Sequence, residues 1–258
     1  MFVEIIDSHI HLDVYEESDR QYLLKTTEEH QVAGLITVSQ NLQSSQINLA
    51  LADEHALVHP AFGFHPEQPL PSDDELQELI DFIEKHEDKM VAVGEVGLPY
   101  YLRQEQPNLQ MDGYLKLLET FILLAKKLDK PVILHAVYED APLACRLLEK
   151  HDISKAHFHW FKGDEKTLER MKNNGYYISV TPDIVYESEI QEMVKAYPLE
   201  SLMVETDGPW PFEGPFQNQL THPKMIHESM MTIARLKETD LHDTYKIILE
   251  NTKGFYGI

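Results

Sequence analysis

Residues 3–13 read Val3-Glu4-Ile5-Ile6-Asp7-Ser8-His9-Ile10-His11-Leu12-Asp13. A short apolar run passes directly into Asp-Ser-His, where an open doubly wound sheet would carry a Gly-rich turn after its first strand. The missing turn favours a closed barrel. Working outward, seven more β-branched or apolar runs follow the opening Val3–Asp7: Gly34–Val38, Leu57–Gly63, Val91–Glu95, Pro131–His135, Ala156–Trp160, Tyr176–Val180 and Leu202–Glu205. Polar segments with helical spacing lie between them, among them Ser72–Lys89, Gly113–Lys127, Asp164–Asn173 and Glu187–Tyr197. Alternating strands and helices imply a parallel sheet, because parallel strands need long crossovers. Val132–Leu134 and Met90–Val93 are continuous apolar runs, as expected of strands buried on both faces. The expected fold is therefore α/β, a single-domain (β/α)8 TIM barrel spanning residues 1–258.

Composition agrees with a globular protein and excludes several classes. The chain has 258 residues, 43% hydrophobic and 26% charged, which is neither a disordered tail nor a collagen-like fibre. Cys145 is the only cysteine, so no intrachain disulfide forms. No apolar run approaches the ~20 residues of a membrane span. The opening Met1–Asp7 carries Glu4 and lacks a basic flank and a long apolar stretch, so a cytoplasmic address is expected. Lys plus Arg number 22 against 44 Asp plus Glu, a net charge of −22. Such a surface keeps the protein soluble, repels phosphate backbones and disfavours anionic membranes, so no tight duplex nucleic-acid binding is expected. Two local signals fix helix ends. Ser72 with Glu75 three residues on reads as a capping box, and Asn173-Asn174-Gly175 reads as a helix exit.

The chemistry-bearing residues recur at one structural place. His9 and His11 are two apart after the first strand, so both can point to the same side and converge on one metal ion. Glu95, His135, His159 and Asp207 stand at or near the ends of later strand runs. A barrel gathers its C-terminal strand ends around one mouth, where active sites of this fold lie. Any one of these residues alone has a structural explanation: a hydrogen-bonded buried acid, a satisfied core histidine, a capping aspartate. Together, four imidazoles and two carboxylates suit two divalent ions sharing a carboxylate, with Zn, Ni, Fe, Mn and Mg all compatible.

The assembled motifs resemble the TatD-like metal-dependent hydrolases, a branch of the amidohydrolase superfamily with a (β/α)8 barrel. The resemblance runs through nearly the whole chain. It begins with Asp7-Ser8-His9-Ile10-His11-Leu12-Asp13, Gly63-Phe64-His65-Pro66, Gly94-Glu95-Val96-Gly97-Leu98 and Pro131-Val132-Ile133-Leu134-His135. His159-Trp160-Phe161-Lys162-Gly163, Glu205-Thr206-Asp207-Gly208-Pro209 and the Asn251–Gly257 stretch complete it. It implies metal-ligand roles for His9, His11, Glu95, His135, His159 and Asp207, with Glu95 bridging two ions. His65 is expected at the rim, contacting substrate or assisting proton transfer. His157 matches no family ligand and is a reserve candidate on the same face as His159; His59, His222 and His227 are expected on the surface or in loops. Pro99 stands where relatives usually carry Asp, Val137 where they carry Arg, and Thr221-His222-Pro223 replaces Asn-x-Pro. Losing the Arg removes the natural bidentate contact to phosphate.

What the resemblance implies is a deoxyribonuclease-type phosphodiester hydrolase using metal-activated water, with Asp207 as general base and Glu95 and His65 assisting. The expected partner is a small molecule or short oligonucleotide. Lys162 and Arg103 are expected as auxiliaries near the mouth, and Trp160, Trp210 and Phe212 as rim aromatics able to stack on a ring. The alternatives are a metal-dependent hydrolase of a small amide, lactone or phosphoester, and a non-catalytic metal-binding barrel.

Overall fold

A computed structural model of the chain describes residues 3–258. It opens with β1 (Ile5–Ile10), α1 (Glu17–Thr26), β2 (Val32–Val38), α2 (Leu42–Glu54), β3 (Val58–Phe62), α3 (Asp73–Lys85) and β4 (Ala92–Gly97). Two helices, α4 (Tyr100–Glu105) and α5 (Met111–Leu128), then precede β5 (Val132–His135). Next come α6 (Ala141–Lys150), β6 (Ala156–Phe158), α7 (Glu165–Asn173), β7 (Tyr177–Val180), α8 (Ser188–Ala196) and β8 (Leu202–Val204). Two further helices, α9 (Ile226–Lys237) and α10 (Leu241–Tyr256), follow. The strands are parallel and lie in chain order in one eight-stranded sheet. Its edges meet where the Asp207 N–H donates to His9 O at 2.9 Å and the His11 N–H to Gly208 O at 2.8 Å. The result is the expected single-domain barrel, nearly closed.

Most strand boundaries move slightly, and two shifts concern the site. β1 continues to Ile10 because its polar middle is satisfied inside the sheet. The Asp7 carboxylate accepts from the Thr206 N–H (3.0 Å) and the Thr206 hydroxyl (2.5 Å), so Asp7-Ser8-His9 is buried strand rather than loop. β4 begins at Ala92 and runs past Glu95 to Gly97, with a register shift against β5 between Val93 and Val96. Close approach requires glycine beside it. A Cβ at Gly97 would collide with the His135 carbonyl oxygen, and one at Gly63 would lie 2.7 Å from the Gly94 carbonyl carbon. Backbones held this near leave little freedom for Glu95 between them.

The main core packs the outer strand faces against the helices through residues such as Leu23, Leu35, Phe62, Phe121, Val132 and Ile233. Each such side chain contributes about 1.5–3 kcal/mol on burial. A smaller cluster takes alternate strand positions (Ile6, Ile36, Ala61, Ile133 and Met203) and packs against Phe255 and Tyr256 of α10. The Ser72–Glu75 capping box forms, and α7 ends at Asn173 with Gly175 at φ 70°. Among the described residues, no helix is long and apolar enough to cross a membrane.

Candidate metal centre

The fold brings His9, His11, Glu95, His135, His159 and Asp207 into one buried cluster at the strand ends. The Glu95 carboxylate stands in its middle, with its two oxygens facing different partners. Its Oε2 lies 3.3 Å from both His9 Nε2 and His11 Nε2, and these nitrogens lie 3.3 and 3.4 Å from Asp207 Oδ1. Its Oε1 lies 2.6 Å from His159 Nε2, 3.0 Å from His135 Nδ1 and 3.5 Å from His65 Nε2. His65 therefore joins the cluster as well as lining the mouth.

The donor set fits divalent metal. His9 Nε2, Glu95 Oε2 and Asp207 Oδ1 are buried without any hydrogen-bond partner, although they face one another. Buried polar atoms left unpaired cost about 1–3 kcal/mol each, and a cation coordinated by all three would relieve that cost. His9, His11 and Glu95 offer one group of ligand atoms within 4.8 Å of one another; His65, Glu95 and His135 offer another.

Protonation in the metal-free cluster follows its crowding. Burial disfavours charged His11, yet contacts with Asp207 and Glu95 outweigh it and hold the imidazole up to about 10. His159 is likewise raised, against burial, chiefly by the charge of Glu95. Burial works against ionised Glu95 and Asp207 too, but the surrounding histidines keep both carboxylates well below their usual range. His65 goes the other way: burial lowers it to about 3.

Backbone strain concentrates here. Trp160 and Asp207 adopt left-handed conformations at φ 37° and 49° without being glycine. Such residues cost about 1–3 kcal/mol and persist where surroundings over-determine them. Asp207 is pinned by its N–H to His9 O, and the Trp160 N–H donates to Glu205 Oε1 at 2.7 Å.

Two carboxylates to which the sequence assigns no role back the cluster. Glu67 Oε1 is 3.0 Å from His135 Nε2, and Glu205 Oε1 is 3.7 Å from His159 Nδ1. Each stands behind a histidine whose other nitrogen faces Glu95. Glu205 directly precedes Thr206-Asp207 and Glu67 directly follows His65-Pro66, so adjacency to those motifs was the one available signal.

Above the cluster lies a cavity of about 380 Å³, lined by His11, His65, Glu67, Tyr101, His135, Val137, His159, Trp160, Asp207 and Trp210. Larger clefts, of about 560 and 760 Å³, include none of these histidines in their walls. Not every residue expected near the mouth lines the cavity. Arg103 is engaged with buried Asp140 at 2.7 Å, and Lys162 sits over the Trp160 ring at 5.1 Å, 3.9 Å from Asp183; neither lines the cavity. Trp160 and Trp210 do line it, whereas Phe212 is buried against Phe216 and Met225.

The remaining histidines lie outside the cluster. His157 shares the face of His159 but lies away from the donors: Nδ1 pairs with the Tyr256 hydroxyl (2.7 Å) and Nε2 with the Ser179 hydroxyl (2.6 Å). His222 is 1% exposed rather than a surface residue, because Nδ1 accepts from the Lys224 N–H (3.0 Å) and Nε2 pairs with the Thr26 hydroxyl (2.9 Å). His227 is half-buried on α9 between Tyr245 and the His30 carbonyl, and His59 lies half-buried on β3.

A parallel barrel carrying imidazoles and carboxylates at its strand ends, with unpaired ligand atoms facing one another, has the architecture of a metal-dependent hydrolase. The chain matches the family described as TatD related DNase over residues 6–257, and it belongs to that family. A Haemophilus influenzae protein named as an uncharacterized metal-dependent hydrolase is 42% identical over 255 residues, covering 98% of this chain and 100% of its own. Human Deoxyribonuclease TATDN3 is 28% identical over 258 residues, covering 96% of this chain and 93% of its own. The crystal structure of YjjV, a TatD homolog from Escherichia coli, matches with a TM-score of 0.86 at 28% identity over 100% of both chains.

Proposed function

We propose that this metal-dependent hydrolase cleaves phosphodiesters in the manner of a deoxyribonuclease, with two divalent cations held by His9, His11, Glu95, His135, His159 and Asp207. The observation that carries the reading is the Glu95 carboxylate, whose oxygens each face a different group of imidazoles. Bound there, the ions supply an acidified water and polarise the phosphoryl oxygen. Asp207 serves as general base: its Oδ1 faces the His9 and His11 nitrogens, is otherwise unpaired, and is held by a pinned backbone. The proton it takes passes to the leaving group. His65 Nε2, beside Glu95 and facing the cavity, contacts the substrate oxygen. Trp160, Trp210 and Tyr101 give the mouth flat apolar walls for a base. With a net charge of −22, strand ends or short oligonucleotides suit the site better than duplex DNA.

One feature favours a second substrate class. Neither Lys nor Arg lines the cavity, and Val137 fills the place of the family Arg. A small ester, lactone or amide needs no cationic clamp. The separating experiment incubates protein loaded with Zn, Mn, Co or Mg with short single-stranded DNA, bis(p-nitrophenyl) phosphate, p-nitrophenyl monoesters and lactones. Cleavage of the DNA and the diester is expected. Turnover confined to monoesters or lactones overturns the nuclease reading, and no turnover with any metal leaves a non-catalytic metal-binding barrel.

A further inference from the structure

We propose that Glu67 is a positioning residue that sorts two neighbouring histidines into opposite roles: its side chain makes His135 a metal ligand, and its backbone makes His65 a hydrogen-bond donor. The inference rests on the dinuclear reading above and adds what decides which histidine takes which part. Glu67 Oε1 is 3.0 Å from His135 Nε2, while His135 Nδ1 lies 3.0 Å from Glu95 Oε1. A carboxylate only accepts, so it draws the imidazole proton to Nε2 and leaves the Nδ1 lone pair aimed into the cluster, as a ligand requires. The main chain of the same residue does the reverse. The Glu67 N–H donates to His65 Nδ1 at 3.2 Å, and a backbone amide can do nothing but donate. His65 Nδ1 must therefore offer its lone pair, and the ring proton sits on Nε2, 3.5 Å from Glu95 Oε1 and facing the cavity. In that tautomer, His65 has no inward lone pair for a cation, though its position beside Glu95 and His135 would allow one. It presents an N–H to substrate instead.

The Glu67 carboxylate is itself anchored. Oε1 accepts from the Tyr101 N–H (2.9 Å) and Oε2 from the Leu102 N–H (2.6 Å). Both bonds hold α4, which carries Tyr101 to the cavity wall. The hold on His135 and the placement of Tyr101 thus share one carboxylate.

The test begins with Zn uptake by the wild-type protein, measured by chelator competition, and with long-range ¹H–¹⁵N correlation spectra of its histidines. Expected are two bound ions, a metal-bound Nδ1 on His135, and an unligated His65 protonated on Nε2. Glu67→Gln, which keeps an acceptor but removes the charge, should weaken one ion by roughly 10- to 100-fold and leave the other unchanged. Glu67→Ala should do the same while the His65 spectrum stays as in wild type, because the backbone N–H remains. His65→Ala should bind both ions normally and lose kcat with little change in KM. A metal-bound His65 signal, or wild-type affinity for both ions in Glu67→Gln, overturns the inference alone. Wild-type protein that takes up no divalent ion overturns the metal reading beneath it.

Discussion

His157 and His159 stand two residues apart at the end of β6 and are 0% and 4% exposed, yet they belong to different kinds of site. Both nitrogens of His157 are engaged by hydroxyls, from Ser179 and Tyr256. His159 instead points Nε2 at a carboxylate shared with His135, His65, His9 and His11, and its Nδ1 has no hydrogen-bond partner. His222 and His227 follow the pattern of His157; His9 and His11 follow that of His159. Burial does not separate the two kinds. What separates them is whether neutral partners already satisfy the ring, or whether nitrogens converge on carboxylates and leave atoms that only a cation can satisfy.

The largest expected effect tests the carboxylate side of this contrast. Asp207→Asn keeps the size of the side chain and removes its basicity, so kcat should fall by about a thousandfold while the circular dichroism spectrum is unchanged. Undiminished hydrolysis would take Asp207 out of the mechanism. Next in size is the comparison of the neighbours themselves. His157→Ala should lower unfolding stability by about 2–4 kcal/mol, with or without chelator, because it opens a buried cavity and removes the hydrogen bonds to the Ser179 and Tyr256 hydroxyls. His159→Ala should lose ion affinity by about 10-fold or more, whereas His157→Ala should leave ion affinity unchanged. Equal losses of ion affinity from the two substitutions would erase the distinction.

Acidity acts with opposite signs on His11 and His222. His11 is raised to about 10 in the metal-free protein by Asp207 and Glu95, against burial. Its folded state therefore holds a proton that the unfolded chain releases near 6.5; the stability it contributes is complete below that pH and fades as pH rises through 10. His222 is lowered to about 4, first by burial and then by His30 and Lys224. Its contribution is complete above about 6.5 and fades as pH falls through 4. Melts in chelator should show both declines. His222→Gln should lessen the acid one and leave the alkaline one. Saturating metal, which displaces the His11 proton, should abolish the alkaline one and release protons on binding at pH 7, read as a buffer-dependent calorimetric heat.

The same contrast marks how far the sequence could be read. The strand rhythm was legible because buried parallel strands must be apolar, and the convergence of His9 with His11 was legible because it is local. Strand-end position also picked out Glu95, His135, His159 and Asp207 as residues the barrel would gather. Depth along the strand was not legible. His157 and His159 have the same parity, so alternation could not say that one meets Tyr256 from α10 and the other meets Glu95. Glu67 and Glu205 were missed for a related reason: their histidine partners lie 68 and 46 positions away, and nothing in an isolated glutamate announces such pairing. The extension of the first strand past Asp7 through Ser8 and His9 was not legible, because the donor to Asp7, Thr206, comes from the far edge of the barrel.

The smallest expected effect concerns a histidine that is more exposed than any of these. His227 is half-buried, with Nε2 2.9 Å from the His30 carbonyl and Nδ1 2.7 Å from the Tyr245 hydroxyl. Both partners are neutral, which places it with His157. Partial exposure lets water replace either bond, so His227→Ala should cost only about 1 kcal/mol. The partner it releases is the His30 carbonyl, and the His30 ring packs edge-on against His222 at 5.0 Å. Substitutions at 222 and 227 therefore share a neighbour, and the double variant should deviate from additivity by about 0.5 kcal/mol or more. Ion affinity should not move in any of these three proteins. A change in metal binding on His227→Ala would mean that satisfied histidines on α9 are mechanically linked to the strand-end cluster, and the division between the two kinds would fail at its least buried member.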